Sequence, residues 1–150
     1  MKPQPLMQNG LHPIIIKQMK KDIQDRIDIE ILVNNFYDRV KDNELLGRVF
    51  DEVMKVDWDK HLPKMYDFWE NIVFQTGNYK GRPFLPHLEV NASETLTSSH
   101  FDQWLQLFHK TIDDLFEGPI ADELKFKSQN IKEVWNYKMT YINNYKPDTV

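Results

Sequence analysis

The sequence contains no cysteine, which excludes disulfides, cysteine-bound zinc, iron–sulfur clusters and thiol catalysis. Any metal must therefore be bound by histidine, by carboxylate or through a cofactor. No apolar run is long enough to span a membrane, and the short run from Ile14 to Ile16 is far below the length of a signal-peptide core. We therefore expect a cytoplasmic protein with no membrane partner.

An excess of basic residues is also missing. The formal net charge is -4 at pH 7 with a pI near 5.7, so nucleic acid is not an expected partner. The chain of 150 residues shows no break in composition, and its 41% hydrophobic and 13% aromatic content beside only 5 glycines favours one packed helical domain. We expect a flexible N-terminal arm over residues 1–20, a domain over 21–146 and a C-terminal tail over 147–150.

Apolar residues at helical spacing predict the first two long helices. In the first, which Asp25 or Asp28 could cap, one face carries Ile29, Leu32, Val33, Phe36, Tyr37 and Val40. The second begins near Trp58, and Gly77 is the expected stop. Pro63 either lies close to the start of that helix or kinks it, because an interior proline removes a backbone donor. Between the two helices, "DNELLGRVF" predicts a turn with a short helical piece that ends on Phe50.

The second half of the chain predicts two further long helices. A capping-box pattern at Ser99 and Asp102 opens the third, Gly118 and Pro119 end it, and a final helix runs from about Ile120. Glycines and prolines between Gly77 and Ser98 leave room for a single helical turn, at residues 86–90. The sequence thus predicts a compact all-α fold made of two successive helix pairs.

Four side chains are candidates for chemistry. Tyr37, His61 and Trp104 fall on faces that the pattern predicts to be buried, and His87 lies between two leucines behind a proline. Each has an ordinary interpretation, because a Tyr, Trp or His on such a face is most often a core residue whose polar atom has a partner. Their ordered combination favours a shared site instead.

Several motifs in order carry a family resemblance. They are "NNFYDRV", "LLGRVF", "WDKHLPKMYDFW", "TGNYKGRPFLPHL" and "HFDQWLQLF", and they span about residues 22–145. Together they resemble the group III truncated haemoglobins of the globin superfamily. The resemblance implies a truncated globin domain over residues 21–146, a two-over-two helical sandwich around haem b. The linker between His87 and Trp104 is slightly long for the family.

The resemblance also implies roles for individual residues. His87 would be the proximal ligand of the haem iron, and His61 would lie on the distal side of the haem. Lys64 and Arg82, together with Lys80, would pair with the haem propionates. The residues expected to pack on the haem or line its pocket are Phe50, Met65, Phe68 and Trp69.

Function is expected to follow from a polar distal pocket. Tyr37 and Trp104, with His61, could donate hydrogen bonds to bound O2, which favours slow O2 release or oxygen activation over storage. One class of function is redox chemistry, as a nitric oxide dioxygenase or a peroxidase-like protein, with O2, NO, CO or peroxide as ligands and electrons from a reductase. A second class is non-catalytic O2 or gas binding and sensing. A third is a helical interaction module without a cofactor.

Overall fold

The computed structural model describes residues 20–145. Nearly all of the predicted arm (residues 1–20) and the whole predicted tail (residues 147–150) lie outside this range. Within it the chain is helical without strands, which confirms the predicted all-α class, and no helix there is long and apolar enough to cross a membrane. The elements are α1 (Arg26–Asp42), α2 (Glu44–Arg48), a π-helix (Val49–Val53), α3 (Trp58–Phe74), α4 (Phe84–Ser93), α5 (Ser98–Leu115) and α6 (Pro119–Asn144).

Four long helices form two layers. Helix α1 packs on both α3 and α5, and α5 packs along α6, so that the pair α1–α3 lies over the pair α5–α6. The apolar face predicted for α1 is buried between the layers, where Phe36 meets Phe108 edge to face at a ring distance of 5.0 Å. The predicted two-over-two arrangement is confirmed.

The segment before α1 caps α1 and contacts the start of α6. Asp25 caps α1 by accepting a hydrogen bond from the Asp28 backbone N–H at 3.1 Å. The Asp22 carboxylate accepts hydrogen bonds at 2.9 Å from the backbone N–H groups of Ile120 and Ala121, at the start of α6. Gly118 precedes that helix with φ of 150°, and a Cβ there would lie 2.5 Å from Asp22 Cγ. The close approach of Asp22 therefore requires glycine at position 118.

Asp22→Ala is expected to lower the free energy of unfolding by about 1–2 kcal/mol, because two backbone donors at the start of α6 lose their acceptor. Chemical denaturation measures the change. Asp38→Ala is the matched control, since this exposed aspartate of α1 makes no ion pair among residues 20–145. Equal effects of the two substitutions would contradict the capping role of Asp22.

Two predicted helix boundaries are wrong. Helix α3 ends at Phe74 and not at Gly77, because Gln75 adopts the left-handed conformation, with φ of 55°, and closes the helix. Pro63 lies inside α3, six residues into the helix when Trp58 is counted as the first. The capping box of α5 is formed by Thr97 and the His100 side chain, and not by Ser99 and Asp102.

The structure also corrects the region around His87. The single turn predicted at residues 86–90 is a ten-residue helix, α4. Prolines do not prevent this helix, because Pro83 precedes it and Pro86 lies in its first turn, where backbone N–H groups have no helical partner. The short helical piece predicted to end at Phe50 likewise continues through the π-helix to Val53.

Candidate functional site

A cavity of about 540 Å³ opens beside α3 and α4 and is lined by residues from every helix of the fold. A volume of this size is typical of sites for small molecules and cofactors. All the residues predicted for the site line it, although sequence distances of up to 67 positions separate them (104 − 37). These residues are Tyr37, Phe50, His61, Lys64, Met65, Phe68, Trp69, Arg82, His87 and Trp104, together with Lys80.

His87 is held in one orientation by its own helix. Its Nδ1 lies 2.8 Å from the Pro83 carbonyl oxygen, and its ring packs 4.7 Å from the Trp135 ring. Because the carbonyl can only accept, Nδ1 must carry the proton, which leaves Nε2 with a lone pair. Burial lowers the pKa of His87, partly opposed by this hydrogen bond. The residue therefore presents a neutral imidazole, the form that binds metals.

The described residues offer no other metal site. Among residues 20–145 there is no group of three or more histidine, aspartate or glutamate side chains arranged to hold an ion. A metal at His87 would consequently need most of its ligands from a cofactor.

His61 enters the same cavity from α3. Its Nε2 is buried and has no hydrogen-bond partner within the described part of the chain. Burial is the main reason that its pKa is lowered to about 4, and the positive charge of Lys64 and the proximity of His87 also lower it. An unpaired buried imidazole nitrogen is costly, so its position favours a partner that enters the cavity from outside the chain.

His61→Leu is expected to raise the free energy of unfolding of the haem-free protein at pH 7 by about 1–3 kcal/mol, because it removes an unpaired buried nitrogen. It should also weaken the pH dependence of stability. The unfolded chain takes up the His61 proton near pH 6.5 and the folded chain only near pH 4, so stability falls as the pH drops through this window.

Urea denaturation from pH 7 to pH 4 tests both statements. His109→Leu is the matched control, since His109 Nε2 lies 3.0 Å from the Lys125 carbonyl oxygen and 3.2 Å from Ser128 Oγ. Loss of these hydrogen bonds should destabilise the control. A free energy of unfolding lower for His61→Leu than for the unsubstituted chain at pH 7 would contradict the prediction.

Tyr37 and Trp104 bring two further donors to the cavity. Tyr37 is only 5% exposed, and burial is the sole cause of the raised pKa of its phenol, with no hydrogen bond or charge contributing. Its hydroxyl therefore stays protonated and can donate to a ligand. The Tyr37 and His61 rings meet edge to face at 5.3 Å. Trp104 stacks on Trp69 at 6.0 Å, which fixes the plane of its indole.

The walls of the cavity are apolar and aromatic. Phe50 packs edge to face on Tyr37 at 5.7 Å, and Phe68 lies 4.8 Å from Trp69. Met65 fills the space beside them. Walls of this kind exclude water and strengthen the few polar interactions formed inside.

Charged side chains surround the opening of the cavity. Lys64, Lys80 and Arg82 are exposed there, and none of them belongs to an ion pair within residues 20–145. Asp67 also borders the cavity, but Arg26 holds it at 2.7 Å. The free charge at the opening is therefore positive.

Sequence reasoning missed several residues of this site. Trp135 packs on His87, and Tyr79 packs edge to face on Phe68 at 5.2 Å. His100 also lines the cavity, and its Nδ1 accepts a hydrogen bond from the Thr97 backbone N–H at the start of α5. The apolar spacing of Trp135 resembles that of any core residue, so no sequence signal distinguished it.

Comparisons with known proteins agree with this architecture. The sequence model of the bacterial-like globins matches residues 22–137. A group 3 truncated haemoglobin of Campylobacter jejuni is 24% identical over 116 residues, which cover 75% of this chain and 89% of that protein. The crystal structure of a group III truncated haemoglobin from the same species superposes with a TM-score of 0.71 at 23% identity, over 81% of this chain and 95% of the other.

The resemblance inferred from the sequence motifs is thereby confirmed, because the family match covers most of the chain. The chain belongs to the bacterial-like globin family, whose members bind haem and, through it, small gaseous ligands such as O2.

Proposed function

We propose that the cavity binds haem b, with His87 as the proximal ligand and with Tyr37, His61 and Trp104 around the gas, and that the protein carries out redox chemistry on O2 and NO or on peroxide. One observation carries the proposal: two histidines from different helices line one apolar cavity, and neither Nε2 atom has a hydrogen-bond partner among residues 20–145. When bound, the haem supplies an iron centre that takes up the gas and exchanges electrons with it.

The residues present fit such a group. The neutral His87 has its Nδ1 proton held by a backbone carbonyl, an arrangement typical of metal-binding histidines. Phe50, Met65, Phe68 and Trp69 offer apolar surfaces for a flat aromatic ring system. Propionate carboxylates are charged and are stable where solvent reaches them. Three exposed cations at the opening are available to pair with them, namely Lys64, Lys80 and Arg82.

On the gas-binding side, this chain's residues hold and orient the ligand. The Tyr37 hydroxyl and the Trp104 indole N–H would donate hydrogen bonds to O2 held in the cavity. His61 Nε2 is close to both the Tyr37 ring and the cavity and gains a partner there. Donors of this type retain O2 strongly, which suits activation of oxygen more than its storage or rapid release.

Turnover tests the proposal. Purified protein should be red and show a Soret band, and its oxygenated form should convert NO to nitrate repeatedly when a reductase regenerates the ferrous state. Free haem with the same reductase is the control. Without a Soret band, haem binding itself would be refuted. A Soret band with a single turnover, and no peroxide reduction either, would leave gas binding or sensing as the function.

A further inference from the structure

The opening of the cavity has an excess of positive charge. Lys64, Lys80 and Arg82 line it, and Lys60 lies one turn before Lys64 on the same side of α3. All four are exposed, and none forms an ion pair with another described residue. This concentration stands out in a chain whose formal net charge is -4. We call these four residues the basic rim.

The other lysine and aspartate that line the cavity each belong to an ion pair. Asp67 accepts from Arg26 at 2.7 Å, and Lys132 donates to Asp102 at 2.8 Å. Two propionates would balance two of the four rim cations. The remainder, about two positive charges, would face the solvent beside the exposed edge of the site, where they attract negatively charged surfaces over about 8–10 Å at ordinary salt concentrations.

We propose that the basic rim is the docking surface for an acidic protein that carries single electrons. The inference rests on the proposed redox function, which requires an electron donor. Each encounter would oxidise the carrier by one electron and reduce the ferric protein by one. Docking at the rim brings the carrier to the opening of the cavity. This opening is the shortest route for an electron from the surface of the carrier to the interior of the cavity. Charge complementarity of this kind raises association rates more than affinity.

Flavodoxin is a suitable probe, because it is an acidic one-electron carrier. The rim variant combines Lys60→Gln, Lys64→Gln and Lys80→Gln. The matched control combines Lys20→Gln, Lys110→Gln and Lys125→Gln, which remove the same charge around Asp113 and Asp114, away from the cavity. Haem content is measured first for both variants, and a neutral small reductant then reports any change in driving force.

Stopped-flow reduction of the ferric protein by reduced flavodoxin should slow by about 10-fold or more in the rim variant at low ionic strength. Its dependence on salt should flatten, while the control stays within about twofold of the unsubstituted chain. Each rate with flavodoxin is divided by the rate with the neutral reductant. The ratio reports the effect of docking without the effect of driving force.

Docking can also be measured by NMR, without electron transfer. Oxidised flavodoxin added to the isotope-labelled ferrous CO form should shift the amide resonances of residues 60–62, 64 and 79–82. Shifts confined to another face, or equal slowing of rim and control variants, would overturn the docking surface while haem binding stands. Absence of a Soret band would instead refute the proposed function, and the docking with it.

Discussion

His87→Ala is expected to abolish stable haem binding. The substitution removes the neutral His87 imidazole. The hydrogen bond from its Nδ1–H to the Pro83 carbonyl orients the ring so that Nε2 is directed to the cavity. Loss of groups that merely orient a metal ligand weakens metal binding about 10- to 100-fold, so loss of the ligand itself should exceed about 100-fold. The ratio of haem to protein after purification, and the rate of haem transfer to an acceptor globin, measure the effect.

His109→Ala is the control for loss of a half-buried imidazole. His109 is hydrogen-bonded to the Lys125 carbonyl outside the cavity, so its removal should destabilise the fold without releasing haem. Added imidazole should partly restore the spectrum of His87→Ala by occupying the vacated space. Full haem retention with an unchanged spectrum in His87→Ala would refute the proximal assignment.

Tyr37→Phe is expected to accelerate O2 dissociation by about 10- to 100-fold. The hydroxyl is buried in the cavity wall, and within residues 20–145 it makes no hydrogen bond that would compete with one to a ligand. A hydrogen bond to a charged acceptor contributes about 1.5–3 kcal/mol, and each 1.4 kcal/mol corresponds to about tenfold in rate if the barrier follows it. CO dissociation should change less, because CO carries less charge.

Stopped-flow O2 and CO release from single and double variants tests this prediction. Because Tyr37 and Trp104 would donate to one ligand, Tyr37→Phe combined with Trp104→Phe should be non-additive. Tyr66→Phe is the matched control, since the Tyr66 hydroxyl donates a hydrogen bond to Asn34 Oδ1 and Tyr66 does not line the cavity. Equal effects on both gases, or strict additivity, would make Tyr37 a core residue only.

The positions of the core residues were predictable from the sequence because helix periodicity records which side of each helix is buried. Phe36 and Val40 are both fully buried, as their spacing predicted. The family resemblance of the motifs implied which residues would lie around the haem, and all of them line one cavity. Their roles in binding haem and gas stay predictions until the substitutions are made.

Local boundaries were less predictable, because competing signals of similar strength lie next to one another. Thr97, Ser98 and Ser99 are all plausible caps. Only Thr97 lies where its side chain accepts from the His100 backbone N–H while its own backbone N–H donates to His100 Nδ1. The length of α4 was underestimated because prolines weaken helices in their interior and not in the first turn.

By itself, therefore, the sequence determined the helical class and the buried faces, since these depend on spacing along one chain. The candidate site residues came from the family resemblance that its motifs carry. Tertiary structure decided the rest. The packing of Trp135 on His87 and the capping of α6 by Asp22 each join residues from different elements. The burial of His61 Nε2 without a partner likewise depends on which elements surround α3. Such contacts depend on how the helices cross, and spacing within one helix carries no information about the neighbour it will meet.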